Sequence, residues 1–500
     1  MPNTIDGVLD WWAANRAEVA AVRSGDDTLN YAELRQWSLH AAAFLAERGL
    51  TAGDRLCIQA PNSFEYIAAM LGAIRLGAIA VPINPRIHPR ERNDLIGDFE
   101  PRLLIVDTAA DAGALPEDVQ ALPIEAIRAL RTASGEADPP RGVDEDAIVG
   151  IISTSGSTSR PKGVMYSNRT VIAAAMQMLV QEPYCGEGAR VLVYPSISTS
   201  AGFLPVFQIL VFGGTIYLGG AFEPEAALKI IESERITMMM CSTIFFEHCA
   251  ATSIFPSTDV SSLRAALTGG SPVSRELQRV WTEKGAVLRQ IYGQTECSGF
   301  ATFQSAEDSR TFPDKCGRGG PFTDIAIMRA DGTPAPHGEP GEILLRGPTI
   351  MRGYWRAPEA TAAVLKDDWL HTGDLGMLDE RGNLSFIDRL KDVIKSGGYQ
   401  ISATELEAII NEIPAVESVA VIAVPDERFG ETPMAIVYGQ GSVTIADVLE
   451  HCGNSIARYK IPRYVVIEDA PLPRLATGKV AKAEIRNKYK HAHEMLDQVR

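Results

Sequence analysis

The chain has 500 residues, 46% hydrophobic and 22% charged, and its 63 Asp and Glu outweigh 47 Lys and Arg for a net charge of −16. Such a length predicts about three structural units around sizeable cores. The acidic balance argues against nucleic acid as a partner and makes any nucleotide site depend on donors close at hand. Seven scattered cysteines, an odd number without Cys-x-x-Cys, point to a reducing, cytoplasmic setting, and the eight histidines show no zinc-binding pair.

The first residues, to Trp12, carry Asp6 and Asp10 and lack a signal-peptide pattern. Asp27 to Leu34 predicts a strand entering a helix that runs to Leu45, and Arg55 to Gln59 a short strand. Ser63 is placed to cap a helix over Phe64–Leu76, ended by Gly77, before a strand from Ala78 to Ile83. Leu103 to Asp107 repeats the strand pattern, whereas residues 108–146, rich in Ala, Asp, Glu and Pro, are weakly patterned and expected on the surface.

Ala147 to Ile152 reads as a buried strand that delivers the chain into Thr154-Ser155-Gly156-Ser157-Thr158-Ser159-Arg160-Pro161-Lys162-Gly163. Small hydroxyls and glycines of this density can turn several donors toward one anion, with Lys162 as a mobile charge. A polar surface turn has the same composition, and Walker spacing is absent. A helix from Asn168 to Val180 is expected next. Val191 to Phe222 has no charged residue, but Pro195, Pro205, Gly213-Gly214 and Gly219-Gly220 punctuate it. It reads as buried strand, loop, helix and strand, and no transmembrane segment is expected.

Ala226 to Ser233 is helical, and Met238-Met239-Met240 opens a buried segment as core filler. A strand over Leu263–Leu267 stops at Gly269-Gly270-Ser271-Pro272 and a helix follows to Lys284; another over Leu288–Ile291 stops at Tyr292-Gly293-Gln294-Thr295-Glu296. Three strands therefore end in glycine-containing polar loops, the place where parallel sheets bind ligands. Short strands with Gly-rich turns fill Asp324 to Arg389. A last unit begins near Lys391. Ser402-Ala403-Thr404-Glu405 is a capping box for a helix to Glu412, Pro414 breaks it, and Val416–Val424, Thr444–Ala457, Tyr464–Ile467 and Lys482–Lys490 read as strand, helix, strand and helix. The fold class is α/β. A large N-terminal domain, 1–390, has parallel or mixed sheets with flanking helices and a β-rich subdomain at about 324–390; a small α+β domain spans 391–500.

In this order the loops resemble the adenylate-forming superfamily of acyl-CoA synthetases, coumarate-CoA ligases, luciferases and peptide-synthetase adenylation domains, over essentially the whole chain. The matching segments are Tyr31-Ala32-Glu33-Leu34, the loops at 154–163, 269–272 and 292–296, Trp369-Leu370-His371-Thr372-Gly373-Asp374, and residues 388–400 and 473–479. The resemblance implies an ATP-dependent acid–CoA ligase using ATP, Mg²⁺ and coenzyme A. A carboxylate would attack the α-phosphorus of ATP, giving acyl-AMP and pyrophosphate, and a thiol would then displace AMP.

It further implies that Thr154, Ser155, Gly156, Ser157, Thr158 and Lys162 hold ATP phosphates, with Gly269, Gly270, Ser271, Tyr292, Gly293 and Gln294 around the nucleotide. Thr295 would bond the α-phosphate, Glu296 bind Mg²⁺, Tyr292 stack on adenine, and Asp374 and Arg389 hold the ribose. Lys479 is the implied catalytic lysine, assisted by Lys395 and Gln400. Lys391 is the implied hinge of a mobile C-terminal domain, whose rotation brings the Gly397-Gly398 loop to the coenzyme A side in place of Lys479. Plainer readings stay open: Tyr292 as a core aromatic, Arg389 as an ion-pair partner of Asp388 or Asp392, and the C-terminal cations as a solvated face.

Two positions depart from the family pattern. Ser159 stands where glycine is usual, and Pro195 to Gly202 lacks the aromatic–histidine pair of many fatty- and aryl-acid ligases. The expected acyl pocket comprises Ile197, Ser198, Phe203, Phe245 and Gly270, with Phe245-Phe246 equally readable as helix core. It implies an apolar fatty, aryl or alicyclic acid; no aspartate lies between 191 and 222 to hold an amino acid. The rival readings are an acyl-AMP ligase that loads a carrier protein and a non-catalytic adenylate-binding protein, the latter opposed by Lys479, Glu296, Thr295 and Asp374. A homodimer and a monomer are both compatible with these features.

Overall fold

The computed structural model describes every residue except 1, 2, 109, 110, 112, 114, 136, 138–143, 155–160, 183, 271, 272, 440–442, 475–478 and 500, and the side chain of Gln400. The chain divides into two units, residues 1–325 with 345–370, and residues 326–344 with 371–500. Each crossing falls inside a strand: Asp324–Met328, Gly341–Arg346 and Trp369–Leu378. The β-rich stretch is thus shared between them.

Two sheets dominate the first unit. One has six strands in the order Gln120–Pro123, Leu103–Val106, Arg55–Gln59, Ile79–Pro82, Ile148–Thr154 and Lys162–Ser167. All its pairs are parallel but the last. The other has seven, in the order Leu288–Ile291, Ala265–Gly269, Met238–Ser242, Arg190–Val193, Thr215–Leu218, Ala20–Ser24 and Asp27–Asn30. It is parallel except for the final hairpin. Inner strands such as Ile79–Pro82 and Leu103–Val106 are buried at every position, because helices cover both faces; hence their unbroken apolar runs. Ser63 accepts the N–H of Tyr66 at 3.2 Å, and the helix Phe64–Arg75 stops before Gly77, which adopts φ 75°. The charge-free block folds as expected, into the strand Arg190–Val193, the helix Ser200–Phe212 and the strand Thr215–Leu218. Among the described residues no helix is long and apolar enough to cross a membrane.

Two expectations are corrected. The helix at Asn168–Gln181 does not directly follow the glycine-rich loop: Lys162–Ser167 first returns as a strand, antiparallel to Ile148–Thr154, with Thr154 opposite Lys162. A long connecting loop leaves no two-residue turn signal to announce such a hairpin. Within 108–146, Gln120–Pro123 joins the six-stranded sheet and the Ile127 carbonyl accepts the Trp37 indole N–H at 2.9 Å. Four residues at a sheet edge carry too little periodicity to be read from sequence.

The two sheets of this unit share one tight contact. Phe203, on the helix Ser200–Phe212, is fully buried, and a Cβ added to Gly150 would lie 2.2 Å from its Cζ. The ring also stacks at 6.2 Å on Tyr166 and meets Phe207 edge-on at 4.8 Å.

In the second unit, Val416–Asp426 and Gly430–Gly439 form a long antiparallel pair, flanked in parallel by Tyr464–Glu468. Val419, Val421, Ala435 and Val437 face a core with Leu406 and Val448, while Ala420, Ile422, Met434 and Ile436 face another with Leu472 and Ile485. Alternation places the two sets on opposite faces, so the run reads as uniformly apolar. Ser402 caps the helix Ala403–Ile410 through the Glu405 N–H at 3.1 Å. The Glu405 carboxylate does not complete the box; it pairs with Lys460 Nζ at 2.7 Å.

Gly150→Ala is expected to lose about 1–3 kcal/mol of stability in urea unfolding, as overpacked cores do. Phe203→Leu in the same chain should recover part of it, because the ring is the atom group in the way.

Candidate active site

Of the glycine-rich loop, the two ends are among the described residues. Ser155, Gly156, Ser157, Thr158 and Ser159 lie outside the described residues, as does Ser271, but the Thr154 hydroxyl donates to the Lys162 carbonyl at 3.3 Å across the hairpin. Lys162 Nζ stands 4.9 Å from the centroid of the Tyr354 ring, and Tyr354 Oη donates to Glu296 Oε1 at 2.8 Å. The main chain around Tyr354 laces the two sheets together. Trp355 N–H reaches the Gly163 carbonyl at 2.7 Å, Met165 N–H the Gly353 carbonyl at 3.0 Å, and Met351 N–H the Glu296 carbonyl at 2.9 Å. Tyr166 Oη donates to the Thr295 carbonyl at 2.7 Å, and the Thr295 and Ser200 hydroxyls share a hydrogen bond of 3.1 Å. Burial first, then the Glu296 charge, raises both phenols above the ordinary tyrosine value, so they remain donors at working pH.

The loop before Glu296 is held from its backbone. Tyr292 is buried, its N–H donates to Thr302 Oγ1 at 2.9 Å, and its carbonyl accepts from Ala301 and Thr302. A Cβ on Gly293 would stand 2.4 Å from Phe300 Cα, and one on Gly269 2.8 Å from the Ile291 carbonyl oxygen; Gly270 adopts φ +85°. The Gln294 N–H donates to Cys297 Sγ at 3.2 Å. On the acyl side, Asn62 pins the loop after the strand Arg190–Val193, accepting the Ile197 N–H at 2.8 Å and donating to the Pro195 carbonyl at 3.0 Å. Ser198 is buried with its hydroxyl on Ser196 at 2.8 Å. Ile197 and Phe203 are fully buried core, and Phe246 packs on Trp281 at 5.2 Å. Phe245 joins Phe222 and Tyr194 in an aromatic group, at 4.3 and 6.5 Å.

The second unit gathers the other charged candidates. Asp374 and Arg389 are opposite each other in the antiparallel pair of Trp369–Leu378 with Leu384–Arg389, their side chains 3.6 Å apart. The rival ion pairs are taken elsewhere: Asp392 pairs with Arg486, and the buried Asp388 accepts Ser402 Oγ at 2.8 Å, Thr404 N–H at 3.0 Å, Thr404 Oγ1 at 3.1 Å and the Arg389 N–H at 2.7 Å. Lys391 and Lys479 both keep accessible surface. Loss of water around their ammonium groups, then the Arg389 charge, nevertheless holds both below the ordinary lysine value, with Asp374 pulling the other way. Lys395 and Gln400 are backbone register partners in the hairpin of Ile394–Ser396 and Tyr399–Ile401, whose turn is Gly397 and Gly398 at φ 57° and 86°. All seven cysteines are buried and none is disulfide-bonded, with burial raising Cys452 to about 11 and Cys249 to about 12.

Residues 9–355 match the AMP-binding enzyme family, and residues 405–479 the AMP-binding enzyme C-terminal domain. The chain belongs to the AMP-binding enzymes. Its relatives include a feruloyl-CoA synthase of Amycolatopsis sp., 35% identical over 96% of this chain and 99% of the relative, and a long-chain-fatty-acid–CoA ligase of Mycobacterium tuberculosis, 31% identical over 96% and 98%. Among solved structures, o-succinylbenzoate coenzyme A synthetase of Bacillus subtilis in complex with ATP and magnesium superposes with TM-score 0.89 at 28% identity, over 96% of this chain and 99% of that one. ATP-bound MatB of Rhodopseudomonas palustris superposes with TM-score 0.87 at 27% identity, over 99% and 100%.

Sequence reasoning about this AMP-binding enzyme missed three residues that hold the site together: Asn62, Tyr166 and Tyr354. None sits in a loop rich in glycine or hydroxyls, and their partners are 129 to 135 residues away for Asn62 and Tyr166 and 58 away for Tyr354. Asp388→Ala removes a buried carboxylate that satisfies four donors beside Arg389, and is expected to cost about 3 kcal/mol. Urea unfolding followed by a probe in residues 371–500 measures the loss.

Proposed function

We propose that this protein is an AMP-forming acid–CoA ligase that activates an apolar fatty, aryl or alicyclic carboxylate. The reading is carried by one observation above the rest: the Lys162–Tyr354–Glu296 chain joins the two strand-end loops whose residue types suit a nucleotide's phosphates. The domains follow the same reading, an ATP- and acid-binding body at 1–390 and a mobile part at 391–500 hinged near Lys391. Buried cysteines without disulfides suit a cytoplasmic enzyme.

The residues then have these tasks. The carboxylate oxygen of the acid forms a bond to the α-phosphorus of ATP as the bond to pyrophosphate breaks; the sulfur of coenzyme A afterwards bonds the acyl carbon as AMP leaves. Lys162 and the hydroxyls of the 154–163 loop neutralise phosphate charge, Thr295 orients the α-phosphate, and Asp374 accepts from the ribose hydroxyls. Lys479 stabilises charge that grows at the α-phosphate during the first step. The chain fits Mg²⁺: Tyr354 orients one oxygen of Glu296, and among the described residues no donor bonds Oε2, matching an ion that takes one carboxylate plus phosphate oxygens. Bound there, the ion would offset phosphate charge.

Acid, ATP and coenzyme A together should yield pyrophosphate, AMP and the thioester. Transfer to holo-carrier protein in place of coenzyme A would favour the carrier-loading alternative. Lys479→Ala is expected to slow adenylation by on the order of 10²–10³-fold and to leave thioester formation from supplied acyl-AMP nearly intact. Equal loss of both steps would contradict the assignment of Lys479 to the first step alone.

The pH dependence has a worked sign. A lysine held below its ordinary value loses its charge, and with it the adenylation rate, at lower pH than a free lysine does. Removing the neighbouring positive charge by Arg389→Gln should therefore move the alkaline limb of the adenylation profile to higher pH, whatever the change in its height.

A further inference from the structure

The strand Trp369–Leu378 bends immediately before Asp374. Gly373 adopts φ +70°, a left-handed conformation that interrupts an extended chain and that glycine takes without strain. Its N–H is satisfied by a side chain of the neighbouring strand Gly341–Arg346, donating to Glu342 Oε1 at 3.1 Å. The other oxygen of that carboxylate, Oε2, lies 2.9 Å from His371 Nδ1. A carboxylate only accepts, so the imidazole carries a proton on Nδ1. Glu342 thus holds two positions within three residues of Asp374, one on each oxygen.

Two weaker ties complete the bend. Thr372 Oγ1 donates to the Ile343 carbonyl at 2.6 Å and accepts the Asp374 N–H at 3.1 Å. The Gly373 carbonyl accepts the Leu390 N–H at 2.8 Å. Asp374 leaves this bend buried, with its carboxylate 3.6 Å from Arg389. Bonds to an ionised acceptor are roughly twice as strong as neutral ones, so Glu342 is the firmest of these ties. Its side chain is only 22% exposed, which shields both bonds from competing water.

We propose that Glu342 is a positioning residue for the nucleotide ribose: by holding the Gly373 N–H and His371 it sets the direction in which the Asp374 carboxylate points. This rests on the ligase reading, which assigns Asp374 to the ribose hydroxyls. Glu342 acts through Asp374 and needs no contact of its own with the nucleotide. His371 has the lesser task of orienting the Glu342 carboxylate.

The test measures binding of AMP, 2′-deoxy-AMP and 3′-deoxy-AMP to the full-length protein by calorimetry, with no acid present. The wild type should bind AMP more tightly than at least one deoxy analogue by about tenfold or more. Asp374→Asn should bring that ratio close to one. Glu342→Ala should shrink the ratio by about threefold or more through weaker AMP binding, and should change it no further in the Asp374→Asn background. Glu342→Gln should restore the ratio, because the amide can accept from Gly373 and donate to His371 once the imidazole proton moves to Nε2. Where Glu342→Ala fails to fold, judged by its Tm, His371→Leu takes its place and should shrink the ratio in the same direction. Equal weakening of AMP and both deoxy analogues, or a Gln variant no better than Ala, overturns the positioning assignment alone and leaves Glu342 as a support of the strand. A wild type indifferent to both missing hydroxyls, or an Asp374→Asn variant that keeps the ratio, overturns the ribose assignment of Asp374 and this inference with it. Absence of any AMP binding overturns the nucleotide reading as a whole.

Discussion

The contact between the Phe203 ring and Gly150 is the constraint on which the first unit depends. Two sheets can bring their strand ends to one place only if a helix packed on one lets the other approach closely, and a side chain at 150 would keep them apart. The absence of a Cβ there lets Phe203 sit flush against the strand that feeds the glycine-rich loop. Tyr166, stacked on the same ring, then reaches the Thr295 carbonyl. One aromatic core residue thus sets both the distance between sheets and the position of a loop that carries chemistry.

On that frame the polar groups are over-determined. Glu296 is fixed at its carboxylate by Tyr354 and at its carbonyl by Met351, and Tyr354 is itself seated under Lys162. Such redundancy suits a site that must hold a highly charged nucleotide in a protein of net charge −16. Long-range attraction is unavailable, so binding falls to donors and cations a few ångströms away. In the second unit the same economy appears around Asp388, whose buried carboxylate absorbs four donors and leaves the Arg389 side chain to face Asp374.

Much of the secondary structure was legible because local rules and burial agree. Ser63 and Gly77 bracket a helix whose cap and terminus are local chemistry, and Leu103–Val106 is a short apolar run that is buried at all four positions as a strand. Legibility failed where a structure is made by partners distant in sequence. The strand Lys162–Ser167 depends on its pairing across a long loop, and Gln120–Pro123 on an edge it could find only once the sheet existed. The capping box at Ser402 was half right: Ser402 caps, while Lys460 draws the Glu405 carboxylate away, since a tertiary ion pair competes with a local one. The acyl-side aromatics were ambiguous for the same kind of reason: Phe246 went into the core on Trp281 and Phe245 to the edge of that core, against Phe222 and Tyr194, a choice made by neighbours.

By itself the amino-acid sequence determined the α/β class, the polar loops at the ends of three strands and the residue types able to handle phosphate, because each follows from chemistry within a few neighbouring positions. Tertiary structure alone decided that those loops belong to two different sheets and that Tyr354 and Tyr166 bind them together. The physical reason is that a hydrogen bond or a packed ring is a relation between surfaces, and which surfaces meet is settled by how whole sheets and helices stack, not by any stretch of chain on its own.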